Sequence, residues 1–283
     1  MTTSKFDSLI VNGDAGNSST SRDIFESFIE SQAQFESLPD KLKTDPDTVK
    51  LNLLREVHSR KSCAPLFRQQ ENTNTALVNY WLSRVKNLAH LSLAMNEIPK
   101  FEGLTKQDLT EFAKGNLEPK YLKNIEFDLA ERGVIFIAEP SVDGLKTDGA
   151  VFKLKTGHPV VAMSLRYKRL DNFWFTLMHE LAHVALHYEQ LDNYIIDDLD
   201  SISEDIVELE ADKIAGDSLI PRHIWRTCHA RRDLKEASLI AFSKQHGIHP
   251  AIVAGRIQKE RGDYRTFNSL TNKFDTRKIL FHE

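Results

Sequence analysis

One stretch near the middle of the chain leaves little freedom in how it can fold. Residues 172–188, NFWFTLMHELAHVALHY, read as a long helix with almost no polar face. A helix that is apolar all round belongs inside a protein. Yet this one carries His179, Glu180 and His183. Burying two imidazoles and a carboxylate without partners is costly, so a fold that accepts the helix must also give those three side chains something to bind.

The spacing says what. His179 and His183 are one turn apart, and at 100° per residue they differ by about 40° around the axis, so both rings point to one side. Two imidazoles on one face with a glutamate between them form the H-E-x-x-H arrangement that binds zinc. Each ring can give the ion one neutral nitrogen. Glu180 stands about 100° round from His179. There it can face a metal-bound water, whose pKa zinc lowers towards ~7, and take its proton as general base.

A catalytic zinc site needs a third protein ligand. One class supplies it as H-E-x-x-H-x-x-G-x-x-H. Here those last two positions are Leu186 and Glu189, which excludes that class. His187 lies one turn further along the same helix, where tetrahedral geometry is poor. The better source is the next helical segment, EDIVELEADKIAGDSLIP. Glu208 and Asp212 are spaced i, i+4 on one face. Glu208 can reach the metal while Asp212 accepts a hydrogen bond from a histidine's other nitrogen, the usual outer support of such ligands. Glu210, about 200° away from Glu208, is the fallback ligand if the register differs.

Around this pair of helices the pattern is mixed. Residues 12–22 are polar and turn-prone and read as a disordered leader. Helical periodicity follows in DIFESFIESQAQF, broken by LPDKLKTDPDT, then in KLNLLREVHSR. NTALVNYWLSRVKNLAHLSLAM is stronger, with Leu77, Trp81, Val85, Leu88 and Leu91 on one face. DLTEFAKG and YLKNIEFDLAERG read as two more helices, each stopped at a glycine. Short apolar runs at 134–137, 150–154 and 158–165, with Thr156-Gly157 between the last two, predict a small sheet with a hairpin. After the acidic stretch 192–205, a helix from about Ser203 to Leu219 is stopped by Pro221, and two helices joined at Gly247 close the chain. Helices, then a sheet, then helices imply an α+β fold. The expected organisation is a variable N-terminal segment at 1–54, a helical region at 55–130 and the core with its C-terminal helices at 131–283.

Composition narrows the function classes. The formal net charge of the 283 residues is -4, so the whole-molecule basic field of non-specific nucleic-acid binders is absent. The two cysteines, Cys63 and Cys228, fit reduced thiols in the cytoplasm better than a secreted scaffold. The start of the chain shows no signal-peptide pattern, and no stretch reaches the ~18 apolar residues of a membrane span. In LKEASLIAFSKQHGIHPAIVAGRIQKERG, Arg256, Lys259 and Arg261 could face phosphate, but apolar residues dominate and predict a pair packed on the core. The strands at 150–165 could offer an edge to an extended peptide.

The run YKRLDNFWFTLMHELAH at 167–183, the later ELEADKIAGDSLIP and GIHPAIVAGRIQ together resemble the ImmA/IrrE family of metallopeptidases, over roughly residues 55–270. The resemblance implies a zincin-like core. It makes His179, His183 and Glu208 the Zn2+ ligands and Glu180 the general base. Many members have asparagine at the position of Asp212 and phenylalanine at that of Ile214. Members of this type often begin with a helix-turn-helix domain, of which the first seventy residues show no clear sign. The implied activity is therefore site-specific cleavage of a separate protein partner, a helix-turn-helix repressor or antitoxin. The alternatives are a regulator that uses the same fold for binding with little or no proteolysis, and a structural zinc module.

Overall fold

The computed structural model describes residues 20–62, 74–192, 195–197 and 205–281. Cys63, most of the expected leader and most of the acidic stretch lie outside them. The chain forms two compact units, Met1–Pro65 and Leu66–Glu283.

The first unit is a helical pair, α1 (Ser21–Ser37) and α2 (Pro46–Ser62). Thr20 caps α1 in a capping box with Asp23, so Ser21 and Arg22, expected in the leader, are its first turn. The expected break at LPDKLKTDPDT is shorter than its two prolines suggest. Pro46 is the first residue of α2, where its missing N–H costs nothing and its fixed φ suits the helix. The apolar periodicity of α1 points the unexpected way. Ile24, Phe25, Phe28 and Ile29 are exposed, while Ser27, Ser31 and Gln34 are buried. The two serines return their hydroxyls to the carbonyls of Asp23 and Phe28, and Ser27 Oγ also meets His58 Nδ1 of α2 at 3.3 Å.

The second unit begins with α3 (Thr75–Met95), whose Asn74 side chain accepts from the N–H groups of Ala76 and Leu77. Leu77, Trp81 and Val85 face inward as expected, but Leu88 and Leu91 are exposed, and Ala89 continues the buried side instead. Next come α4 (Lys106–Lys114) and α5 (Ile125–Ala130). The stretch expected as one helix at YLKNIEFDLAERG is a 3-10 turn over Pro119–Lys123 followed by α5. Gly133 then turns the chain with φ +76°, and a Cβ there would stand 2.8 Å from the backbone of Phe101.

The sheet contains β1 (Ile135–Ala138), β2 (Gly149–Lys153), β3 (Pro159–Met163) and β4 (Ile195–Asp197), in the order β1-β3-β2-β4. The β2–β3 hairpin is antiparallel and turns at Thr156-Gly157, with Gly157 at φ +87°. Strand β1 lies parallel to β3. The fourth strand falls in the acidic stretch, which is too polar to read as a strand. It pairs antiparallel with β2, Gly149 opposite Asp197.

Helix α6 (Leu170–His187) is the central element, packed against β2, β3, α4, α7 (Ile206–Leu219) and α11 (Pro250–Arg261). Helix α7 starts three residues later than expected, capped by the Asp205 side chain. Short helices α8 (Arg222–Trp225) and α9 (Ala230–Asp233) lead to α10 (Glu236–His246), α11 (Pro250–Arg261), α12 (Asn268–Thr271) and α13 (Thr276–Phe281). Gly247 joins α10 to α11 with φ +64°. Ala251, Ile252, Val253, Ala254 and Ile257 of α11 are buried against the core. Arg256 is spent on the end of α7, donating to the carbonyls of Gly216 and Ile220. The resulting α+β architecture is the expected one, with a mixed four-stranded sheet backed by helices.

Candidate metal centre

The all-round apolar character of α6 has the expected consequence. His179, Glu180 and His183 are all buried, at 1%, 0% and 0% exposure. Helix α7 runs beside α6 and presents Glu208 to them. His179 Nε2 lies 3.0 Å from His183 Nε2 and 3.2 Å from Glu208 Oε2, and His183 Nε2 lies 3.6 Å from Glu208 Oε2. Ligand atoms of these three residues thus lie within 4.8 Å of one another.

These separations can be tested against what an ion needs. Ligands at ~2.0–2.1 Å in a tetrahedral site stand about 3.3–3.4 Å apart. The observed 3.0, 3.2 and 3.6 Å bracket that edge. The donor set, two imidazole nitrogens and one carboxylate oxygen, is one that zinc accepts, and three protein ligands leave a fourth position open. The residues therefore fit a metal ion.

The surrounding contacts orient the rings. His179 Nδ1 lies 3.0 Å from Asp212 Oδ1, so an Nδ1–H donated to the carboxylate leaves Nε2 turned to the cluster. Burial pushes the Asp212 carboxyl up, but the His179 hydrogen bond and the charge of Lys259 outweigh it and hold the group below the usual range. His183 Nδ1 lies 3.2 Å from His187 Nδ1, and His187 Nε2 lies 3.4 Å from Glu210 Oε2. Burial pushes His187 below the ordinary imidazole value against the opposing pull of Glu210. Of the two residues considered as other third ligands, then, Glu210 reaches His187 and His187 turns its Nδ1 to the back of His183.

Glu180 lies on the sheet side of the helix. Its carboxylate rests against Gly149 at the start of β2, so closely that a Cβ on Gly149 would meet Oε1 at 2.0 Å and Cδ at 2.8 Å. Sequence reasoning did not find Gly149. A glycine beginning a strand often marks a close approach, but which group approaches depends on tertiary packing. None of the described helices is long and apolar enough to cross a membrane.

The chain has no match among curated proteins. The peptidase M78 family, described as the IrrE N-terminal-like domain, matches residues 131–271. The matched span opens just before β1 and takes in α6, α7 and every residue of the cluster. Through that domain, the chain belongs to the IrrE N-terminal-like family of M78 peptidases.

Proposed function

We propose that this chain is a zinc-dependent endopeptidase that acts in the cytoplasm on a separate regulatory protein, one resembling a helix-turn-helix repressor or antitoxin. The observation that carries the reading is the convergence of His179, His183 and Glu208, with Glu180 on the same buried helix. His179, His183 and Glu208 would hold the ion. When bound, zinc supplies a Lewis acid that polarises a peptide carbonyl and acidifies water.

The chain's own residues do the rest. Glu180 accepts a proton from the attacking water and returns it to the leaving amine nitrogen. Gly149 leaves room for that carboxylate beside the helix. Asp212 keeps His179 in the tautomer that offers Nε2. The buried face of α6 shields the imidazoles from bulk water, which strengthens the charge interactions on that side of the site.

The partner proposal rests on two supports. The family resemblance points to a repressor-like target. The C-terminal helix pair spends its apolar residues and Arg256 on the core, not on a presented recognition surface. The test is Glu180→Gln, which keeps size and hydrogen bonding but cannot take the proton. The variant should retain zinc and partner binding while cleavage stops. A wild-type protein that holds zinc, never cuts its partner and still changes that partner's DNA occupancy would replace this reading with the binding-regulator one.

A further inference from the structure

Each metal-binding histidine needs its second nitrogen fixed if the first is to point at the ion. For His179 the fixing group is Asp212. For His183 the second nitrogen, Nδ1, meets His187, one turn further along α6 and buried. We propose that His187 and Glu210 are positioning residues: a relay from Glu210 through His187 to His183 that orients the second metal-binding imidazole. The inference rests on the metal-site reading above.

The tautomers follow one from the other. If His183 commits Nε2 to the metal cluster, its proton sits on Nδ1. The 3.2 Å contact between His183 Nδ1 and His187 Nδ1 then makes His183 the donor and His187 the acceptor. A neutral His187 that accepts at Nδ1 carries its proton on Nε2, the atom that lies 3.4 Å from Glu210 Oε2. One proton assignment thus satisfies both contacts of the relay. The same geometry explains how Glu210, about 200° from Glu208 around α7, still serves the site. Glu208 meets the ligand nitrogens themselves, whereas Glu210 meets the ring behind them.

The experiment measures metal affinity of the full chain by competition with a chromogenic chelator, and the visible absorption of the cobalt(II)-substituted protein. Glu210→Gln is the safest probe, because that side chain is 59% exposed and its loss leaves the core intact. We expect Glu210→Gln to weaken zinc binding by about tenfold and His187→Phe by about ten- to a hundredfold, the range for outer supports of metal ligands. Both should shift the cobalt spectrum, since a freed His183 ring changes the ligand field. The double variant should bind no more weakly than His187→Phe alone, because Glu210 acts through His187; a role confined to packing would give additive losses. Should His187→Phe not fold, Glu210→Gln and its spectrum decide. Wild-type affinity and spectrum in Glu210→Gln, or additive losses, overturn the relay. A wild-type chain that holds no metal overturns the metal reading, and the relay with it.

Discussion

Replacing Gly149 by alanine separates the folded site from the working one. The added Cβ would stand 2.0 Å from Glu180 Oε1, where ordinary contact begins at 3.4 Å, so the carboxylate must retreat by about 1.4 Å. The obstacle is the end of a flexible side chain, not backbone, so the fold can yield at that point. Overpacking of this kind costs about 1–3 kcal/mol, within the roughly 5–15 kcal/mol by which domains are stable. The metal cluster is made by other side chains and should survive. The proton acceptor, however, is displaced, and about 1 Å of misplacement at a reacting centre costs on the order of 10²-fold in rate, or about 2.7 kcal/mol of barrier. The assay takes a peptide selected from a quenched-fluorescent library with wild-type protein. It compares kcat for the Gly149→Ala variant, with zinc content and thermal unfolding measured on the same samples. We expect a loss of about a hundredfold with zinc retained. Cleavage at the wild-type rate would refute the placement of Glu180 as base. Loss of zinc in step with activity would refute the claim that Gly149 serves the carboxylate alone.

His183→Ala and Glu208→Ala should each lose most of the single zinc, as read by elemental analysis; retention in both removes the ligand assignment. Burial, with a smaller push from Lys273, lowers the His249 pKa to about 4. Since the unfolded group titrates near ~6.5, His249 stabilises the fold fully above that value, and the contribution fades as pH falls towards 4. Screened for partial exposure, the effect is of order 1–2 kcal/mol. His249→Asn keeps a good cap for α11 and should flatten the difference between urea unfolding at pH 7 and pH 5; an unchanged slope rejects the assignment. In gel shifts at physiological salt the chain alone should bind DNA weakly and without sequence preference. Nanomolar, sequence-specific binding would favour a DNA-binding regulator.

What could be read in advance divides along physical lines. The H-E-x-x-H helix, the hairpin at Thr156-Gly157 and the junction at Gly247 are local: periodicity and turn chemistry carry them. So is the i, i+4 pair Glu208 and Asp212, whose face needed only a helix and a direction. The unread features depend on partners distant in sequence. Strand β4 has only three residues in an acidic stretch and exists through its pairing with β2. Helix α1 turns its serines inward against the usual pattern, because hydroxyls that hydrogen-bond within the helix can be buried at little cost. On α3, periodicity marks Leu88 and Leu91 as core, but it cannot say how closely neighbouring elements cover that face. The contacts of Gly149 with Glu180, and of Glu210 with His187, join residues 31 and 23 positions apart.

The two helices that build the cluster are unequal in their exposure. The imidazoles of α6 are at 0–1% exposure, whereas the Glu208 side chain on α7 is at 21%. The centre therefore has a fully buried side and a partly open one. Segments with fewer buried contacts open locally at lower free energy than a packed core helix, so amide hydrogen exchange is expected to be faster at the Glu208 end of α7 than around His179 and His183 on α6. An ion held here also cross-links the two helices. It would act as a clasp between a helix of the core and the one that covers it.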